Sequence, residues 1–416
     1  MNDNNGGGPH DAPPRKVGLA VGLLGLGNGF MEPNAGARST EIQRSTRTSD
    51  ATLSLGWAGW PIGMFLASTV GGRLLERVGA RAVLLAGGLF YFGAFAAIGF
   101  APNIVALGVV LFVVGLGNGL FDVGWTRLSA HHDHQQEQVK GDKAGLVIQV
   151  LNGLFSLGSV AAAITGMVVV ALGLPLGPHL LAVGLAGLAV LAWSARHLPN
   201  PGATEVDVDR RAAAPAHRTQ GAPRPRAPRR LRAVAAMSAC ATLPVGVGYL
   251  WSSIYLTRLG ASETVATLGV LAFTLAETAV RLSLGMLSRH VAALRDVVRQ
   301  ARVGALVALA GLALVVVPAT IPTAIAGFAL LAAGMAPIAG LAQREAPHIW
   351  PDHKGRATGM VSRYMYTALV AGPVVIGPLS SLLGAKDSPE SLRVALGALL
   401  LLPAVVLVLA GRLRRA

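Results

Sequence analysis

Three carboxylic acids, Glu32, Asp122 and Glu277, lie inside long apolar stretches of the sequence. Charges are costly inside a bilayer, so an acid in such a stretch is a candidate for binding a proton or a ligand. Asn28 precedes Glu32 by four residues, which places both side chains on one face of a helix. A carboxyl held partly out of water at Glu32 can carry a proton. The alternative for Glu32 is a structural ion pair with Arg38 or with another helix.

Further polar residues in apolar stretches extend this set of candidates for binding substrate or coupling protons. Asp122 falls towards the end of its stretch, where pairing with an arginine is the alternative to a role in a site. Arg281 follows Glu277 by four residues, so an ion pair within one helix is the alternative for both. Asn152 and Tyr249 complete the set, and hydrogen bonds between helices are their alternative role.

The elements that hold these residues are predicted from composition. Of 416 residues, 53% are hydrophobic and only 13% are charged, whereas soluble domains carry about 25% charged residues. A helix needs about 20 apolar residues to cross the hydrocarbon of a bilayer. The sequence contains twelve such runs and therefore predicts an all-α membrane protein with twelve transmembrane helices. The runs are 17–37, 50–71, 82–100, 104–128, 144–173, 177–197, 234–257, 264–286, 301–317, 320–342, 358–384 and 391–411.

The distribution of basic residues predicts the orientation, because cytoplasmic loops carry an excess of Lys and Arg. With a cytoplasmic N-terminus, the external loops hold only Arg38, Arg44, Arg47, Arg258, Lys386 and Arg393. Both termini are then expected in the cytoplasm, and the protein in the inner (plasma) membrane. The formal net charge of +15 does not indicate nucleic-acid binding, because the basic residues are spread between apolar runs.

One long polar segment, 198–232, is rich in Pro, Ala and Arg and is predicted to be a cytoplasmic linker. It separates an N-terminal six-helix bundle, 17–197, from a C-terminal one, 233–416. Residues 1–16 are expected to be a disordered cytoplasmic N-terminus. An alternative is that Ala35-Gly36-Ala37 is a signal-peptidase site, whose cleavage would leave eleven spans.

The loop after the second run carries a specific motif. It reads Gly72-Arg73-Leu74-Leu75-Glu76-Arg77-Val78-Gly79-Ala80-Arg81 and resembles the signature loop of the major facilitator superfamily, with Glu in place of the usual Asp. The resemblance covers all twelve runs and implies two six-helix bundles around a central cavity. It also implies a conformational latch formed by Gly72, Glu76, Arg77, Gly79 and Arg81.

Two departures bear on the branch of this superfamily. Drug:proton antiporters typically carry an Arg four residues before a glycine in the fourth span, where this sequence has Leu111 before Gly115. Their Gly-Pro motif in the fifth span is also missing from 153–158. These departures weaken the drug-antiporter interpretation. The stretch Gly119-Leu120-Phe121-Asp122-Val123 and the pair Gly372-Pro373 resemble a sugar-permease-like branch.

The resemblance implies a secondary active transporter that moves a small molecule by alternating access, with protons as a plausible coupling ion. There are two alternatives. One is a multidrug or metabolite efflux protein of the same fold, and the other is a non-transporting membrane sensor or scaffold.

No enzymatic motif is found, and no cofactor is expected. The partners are a small-molecule substrate and the lipid bilayer, and a monomer is expected. The run His131-His132-Asp133-His134 is interpreted as a solvated loop, so no metal site is predicted. The small number of acids and aromatic residues argues against a dedicated site for large cations.

Overall fold

A computed structural model describes residues 14–140, 146–199, 226–287, 296–383 and 388–413. These residues form helices joined by turns, and none of them lies in a strand. The first eight helices are α1 (Pro14–Ala37), α2 (Ser39–Thr46), α3 (Asp50–Trp57), α4 (Gly59–Val78), α5 (Ala80–Phe95), α6 (Ile104–Lys140), α7 (Leu146–Ala171) and α8 (Leu176–Ala195). After these come α9 (Arg229–Arg258), α10 (Glu263–Leu287), α11 (Val297–Val316), α12 (Ile321–Ile349), α13 (Lys354–Leu383), α14 (Pro389–Ala398) and α15 (Leu401–Leu413).

Within the described ranges, ten helical segments are long and apolar enough to cross a membrane. They overlap the third to the twelfth predicted runs. The first predicted run falls on α1, which is less apolar because its second half carries Asn28, Glu32 and Asn34. The second run falls on α3 and α4, which meet at Ala58. Large apolar side chains such as Val105 are exposed on the long helices, as expected of a surface that contacts lipid.

Three predicted boundaries differ from the structure. Residues 131–134, interpreted as a loop, continue helix α6, which ends only at Lys140. The predicted linker ends earlier than expected, because α9 already begins at Arg229. Helix α1 begins at Pro14, inside the segment predicted to be disordered. Charged residues at helix ends explain these differences, since a helix can extend beyond the apolar run that spans the membrane.

Helices α1 and α7 are in close contact and together form one side of the molecule's centre. A Cβ at Gly29 would collide with the backbone carbonyl of Phe155, and one at Gly158 with that of Leu26. Glycine at both positions therefore lets the two backbones approach without side chains between them. Helix α1 also packs on α6, α8, α9 and α10, so its polar residues face several neighbours at once.

Buried polar contacts join the early helices to the late ones at one end of the molecule. The fully buried carboxylate of Asp50 accepts hydrogen bonds from both terminal nitrogens of Arg258, from Gln43 Nε2 at 2.8 Å and from Ser380 Oγ at 3.4 Å. We call these four residues the Asp50 cluster; they come from α2, α3, α9 and α13. The hydroxyls of Ser39 and Ser253 lie 2.7 Å apart at the α2–α9 contact.

An exposed ion pair between Arg44 and Glu263 lies at the same end. The loop at Gly79 lies at the opposite end of the α3–α4 pair, because Asp50 begins α3 and Gly79 follows α4. The Asp50 cluster and the signature loop therefore occupy opposite ends of the molecule.

Candidate functional site

A cavity of about 150 Å³ lies at the centre of the molecule, between α1, α3–α7, α9 and α13. A cavity of about this volume holds a molecule of benzene's size. Its polar lining consists of Asn28, Glu32, Tyr91, Asn118, Asp122 and Tyr249. Trp57, Trp60, Met64, Phe155, Leu250 and Leu369 contribute most of its apolar lining. The cavity is thus mostly apolar with a few convergent polar groups, the usual character of a ligand site.

A chain of hydrogen bonds connects α1 and α6 on one side of the cavity. Asn28 Nδ2 donates to Asp122 Oδ1 at 2.9 Å, and Asn118 Nδ2 donates to Asn28 Oδ1 at 3.0 Å. The Tyr91 hydroxyl donates to the Asn28 backbone oxygen at 3.4 Å. Asn28 is buried and is the centre of this chain. Among the described residues, Asp122 therefore pairs with an amide across the helix contact and not with an arginine, which was the alternative to a role in a site.

Glu32 lies one helical turn beyond Asn28 and is half-buried on the cavity wall. In the described part of the chain, its carboxylate makes no hydrogen bond or ion pair. The carboxylates of Glu277 and Asp122 act on it through space as like charges, and Arg281 acts as an opposite charge. The predicted alternative, an ion pair with Arg38, is wrong, because Arg38 contacts Glu41 at 2.6 Å and the Leu174 carbonyl at 2.8 Å.

Glu277 is held from two sides on α10. Arg281 Nη2 lies 2.6 Å from Glu277 Oε1, four residues further along the same helix. The hydroxyl of Tyr249, on α9, donates a hydrogen bond to Glu277 Oε2. The ion pair within one helix that the spacing predicts is present, and it leaves Glu277 buried with both oxygens engaged.

Aromatic rings surround the polar groups. The rings of Trp57 and Trp60 are stacked with their centroids 6.2 Å apart and an interplanar angle of 13°. Tyr91 meets Trp60 edge-on at 6.1 Å, and Tyr249 meets Phe273 edge-on at 5.1 Å. The Nε1 donor of Trp57 is buried and has no partner among the described residues. The fold thus concentrates acids and aromatic rings at one place, although both are sparse in the sequence.

The cavity brings together four of the predicted site residues, namely Asn28, Glu32, Asp122 and Tyr249. Glu277 is in contact with Tyr249, and Arg281 is in contact with Glu277. The backbone of Asn152 lies in α7, but its side chain is outside the described residues. Sequence reasoning missed Asn118, although it precedes Asp122 by four residues and shares its helix face.

The aromatic lining was also missed: Trp57, Trp60, Tyr91 and Phe155 were not among the candidates. These residues stand in apolar runs, where an aromatic ring that faces a cavity has the same local pattern as one that faces a neighbouring helix. Nothing in their spacing distinguishes the two positions.

The signature loop forms a tight turn. Gly79 has φ +83°, a conformation that glycine adopts without strain. Arg81 donates to the Ala195 carbonyl at 2.6 Å and so ties the start of α5 to the end of α8. Glu76 and Arg77 are exposed at the end of α4, as is Gly72 one turn earlier.

No group of three or more His, Cys, Asp or Glu residues that could hold a metal is present among the described residues. The side chains of His131, His132, Asp133 and His134 lie outside them.

Comparisons with known proteins identify the family of this chain. Residues 17–373 match the sequence model of the Major Facilitator Superfamily. The chain belongs to this superfamily. It is 25% identical over 382 residues to an uncharacterized transporter, y4wD, of Sinorhizobium fredii (strain NBRC 101917 / NGR234), covering 87% of this chain and 90% of that protein.

Solved structures of transporters share the fold. The nucleoside transporter NupG superposes with a TM-score of 0.68 at 13% identity, covering 96% of this chain and 98% of that one. A bacterial homologue of the human lysosomal transporter Spinster superposes with a TM-score of 0.71 at 15% identity, covering 99% and 98%. This superfamily member is thus a multi-pass membrane protein and a secondary transporter of small molecules that works by alternating access; it is not an enzyme.

Proposed function

We propose that this transporter couples the movement of its substrate to protons, and that Glu32 binds the proton. One observation carries the proposal: Glu32 is an acid on the cavity wall whose carboxylate has no donor in the described chain, whereas Asp122 has one donor and Glu277 has two. A carboxylate without a fixed partner is free to exchange a proton or a ligand as the cavity opens to each side.

The groups that face Glu32 supply the coupling. Asp122 on α6 and Glu277 on α10 act on it as like charges, while Arg281 is engaged by Glu277. The phenols of Tyr91 and Tyr249 complete the polar surroundings. Like charges repel strongly where water is scarce, so a proton on Glu32 removes repulsion between α1, α6 and α10. Protonation therefore changes the contact between early and late helices, which is the contact that alternating access must change.

We further propose twelve membrane spans in two six-helix halves, 17–197 and 229–413, with both termini in the cytoplasm of a monomer in the inner membrane. In this arrangement α1 and the α3–α4 pair are the first two spans. The excess of Lys and Arg in the loops assigned to the cytoplasm supports this orientation. It places the Asp50 cluster on the outer side and the Gly72–Arg81 loop on the cytoplasmic side.

In this orientation, the Asp50 cluster closes the outer side in one conformation and the Gly72–Arg81 loop closes the cytoplasmic side in the other. The Asp50 cluster joins the halves, so the present conformation is closed on the outer side. Gly72, Glu76, Arg77, Gly79 and Arg81 form the latch for the alternative conformation, in which the cytoplasmic side closes. The exposure of Glu76 and Arg77 supports this assignment, because an exposed acid and base can engage the other half when the ends meet.

The cavity also bears on the alternative functions. A non-transporting sensor would be favoured by a centre filled with apolar side chains, whereas this centre has polar groups around an open volume. The sugar-permease-like branch still rests on the sequence alone, through the stretch Gly119–Val123 and the pair Gly372-Pro373. Import and export are both compatible with the proposal.

Gradient-driven transport by reconstituted protein tests the proposal without knowledge of the cargo. Proteoliposomes are incubated with a small-molecule extract of cells, a pH gradient is imposed in either direction, and the lumen is examined by untargeted mass spectrometry. We expect at least one solute to accumulate with the wild-type protein and to stop accumulating when a protonophore collapses the gradient. Glu32→Gln should abolish this accumulation, because an amide cannot carry the proton.

Glu345→Gln is the matched control, since Glu345 is an acid of α12 outside the cavity. It should accumulate the solute as the wild type does. If Glu32→Gln keeps full gradient-driven accumulation, the assignment of the proton to Glu32 is wrong.

A further inference from the structure

The described lining of the cavity carries acids and no bases, which favours a positively charged ligand. Glu32 and Asp122 line it, and no Lys or Arg is among its described lining residues. Arg281 acts on Glu32 as an opposite charge, and it is already paired with Glu277. An anionic ligand would meet carboxylates and no Lys or Arg among the described lining residues, whereas a cationic ligand would find the carboxylate of Glu32, which has no donor in the described chain.

The aromatic lining also favours a positively charged ligand. The faces of Trp57, Trp60, Tyr91 and Tyr249 are rich in π electrons and attract a cation held close to them. The attraction is strongest where water is excluded. The same rings offer an apolar surface to the body of a ligand.

The remaining polar groups limit the ligand further. The Nδ2 groups of Asn28 and Asn118 donate within the protein, to Asp122 and Asn28 respectively. A polyhydroxylated neutral ligand would therefore find few free partners. Trp57 is only 7% exposed and its Nε1 atom is buried, so the ligand meets the indole ring and not its N–H group.

We infer that the cavity binds a small organic cation: an amine with an aromatic or apolar body. The ammonium group lies against Glu32 and the aromatic faces. This inference rests on the proposed function in that it takes the central cavity as the transport site.

Three probes with the same ring and ether oxygen but different charge test it: 2-phenoxyethylamine, 2-phenoxyethanol and phenoxyacetate. Their dissociation constants are measured by calorimetric titration of the purified full-length protein. We expect the amine to bind about tenfold more tightly than the alcohol or the acid, since about 1.4 kcal/mol corresponds to that factor.

Two variants locate the binding. Glu32→Gln should weaken the amine about tenfold and leave the alcohol unchanged, whereas Glu345→Gln should change neither. Thermal unfolding of each variant shows that it is folded.

The outcomes separate this inference from proton coupling. Binding of phenoxyacetate or 2-phenoxyethanol as tight as that of the amine overturns the inference, and so does a lack of amine binding. Proton-driven accumulation of other solutes would then still uphold the proposed function. Conversely, selective amine binding that depends on Glu32, without any gradient-driven accumulation, upholds the inference and overturns proton coupling.

Discussion

At the scale of single residues, the three intramembrane acids differ in their partners and therefore in what they can do. Glu277 is fixed by Arg281 and Tyr249, and Asp122 accepts from Asn28. Glu32 is left without a donor in the described chain. Removing one partner of a buried charge is strongly destabilising, so the first two acids are held by the fold. Glu32 is the acid whose charge state can change with least rearrangement of its neighbours.

We predict that Asn28→Ala destabilises the protein by about 1–3 kcal/mol, because it leaves the half-buried Asp122 carboxylate and the buried Asn118 amide without their partner. Thermal unfolding of purified protein measures the effect. Adding Asp122→Asn should recover part of the loss, since a neutral amide is less costly to leave unpaired than a carboxylate. If the loss of stability in the double variant equals the sum of the losses in the two single variants, Asn28 and Asp122 do not stabilise each other.

The sequence identified part of this site and could not identify the rest. Asn28 with Glu32, and Glu277 with Arg281, are pairs within one helix, so their spacing predicts their proximity. The contact between Asn28 and Asp122 joins residues 94 positions apart and depends on how α1 and α6 pack laterally. The unpartnered indole of Trp57 is likewise a product of tertiary packing, and its local pattern is that of an ordinary apolar residue.

At the scale of helices, the position of the site depends on how closely α1 approaches α7. Gly29 and Gly158 allow backbone contact there, and this contact sets the depth of Asn28 and Glu32 in the cavity. Hydrophobic runs predicted most of the long helices because a bilayer demands about 20 apolar residues per span. The same rule could not predict the extension of α6 to Lys140, since that part of the helix is polar and does not span the hydrocarbon.

We predict that Gly158→Ala destabilises the protein by about 1–3 kcal/mol, the usual cost of overpacking, because the new Cβ collides with the Leu26 carbonyl. Gly93→Ala is the matched control: it is also a glycine inside a helix, with no atom within 4 Å of the new Cβ. It should be neutral or stabilising, since Ala favours a helix over Gly by about 1 kcal/mol. Thermal unfolding compares the two variants, and equal effects would contradict the proposed role of close packing.

At the scale of the whole molecule, the conformation of the cavity depends on which of the two ends is closed. The early and late helices meet across the cavity, and the Asp50 cluster joins them at one end. A bidentate pair between Arg258 and a fully buried carboxylate fixes geometry as well as charge. A transporter that opens this end must break that pair, so the cluster sets how strongly the present conformation is favoured.

We therefore predict that Asp50→Asn shifts the population towards a conformation open at the Asp50 cluster and closed at the signature loop. Breaking a buried ion pair costs about 3–5 kcal/mol. This loss is comparable with the energy of about 5.5 kcal/mol that shifts two conformations from a ratio of 1:99 to 99:1. The double variant Asp50→Asn/Arg258→Gln should shift it less, because it leaves no unpaired buried charge. Glu263→Gln breaks the exposed pair with Arg44 at the same end and should shift it little, as surface pairs contribute about 0–1 kcal/mol.

Pulsed electron–electron resonance on spin-labelled cysteines in a Cys240→Ser background measures both ends. One label pair replaces Leu172 and Val317, which are exposed near the Asp50 cluster, and the other replaces the exposed residues Val78 and Gln343 at the far end. In Asp50→Asn the first distance should lengthen while the second shortens, because the halves rock about the central cavity. Lengthening at one end without shortening at the other would mean that the cluster holds a local contact and not the conformation of the whole transporter.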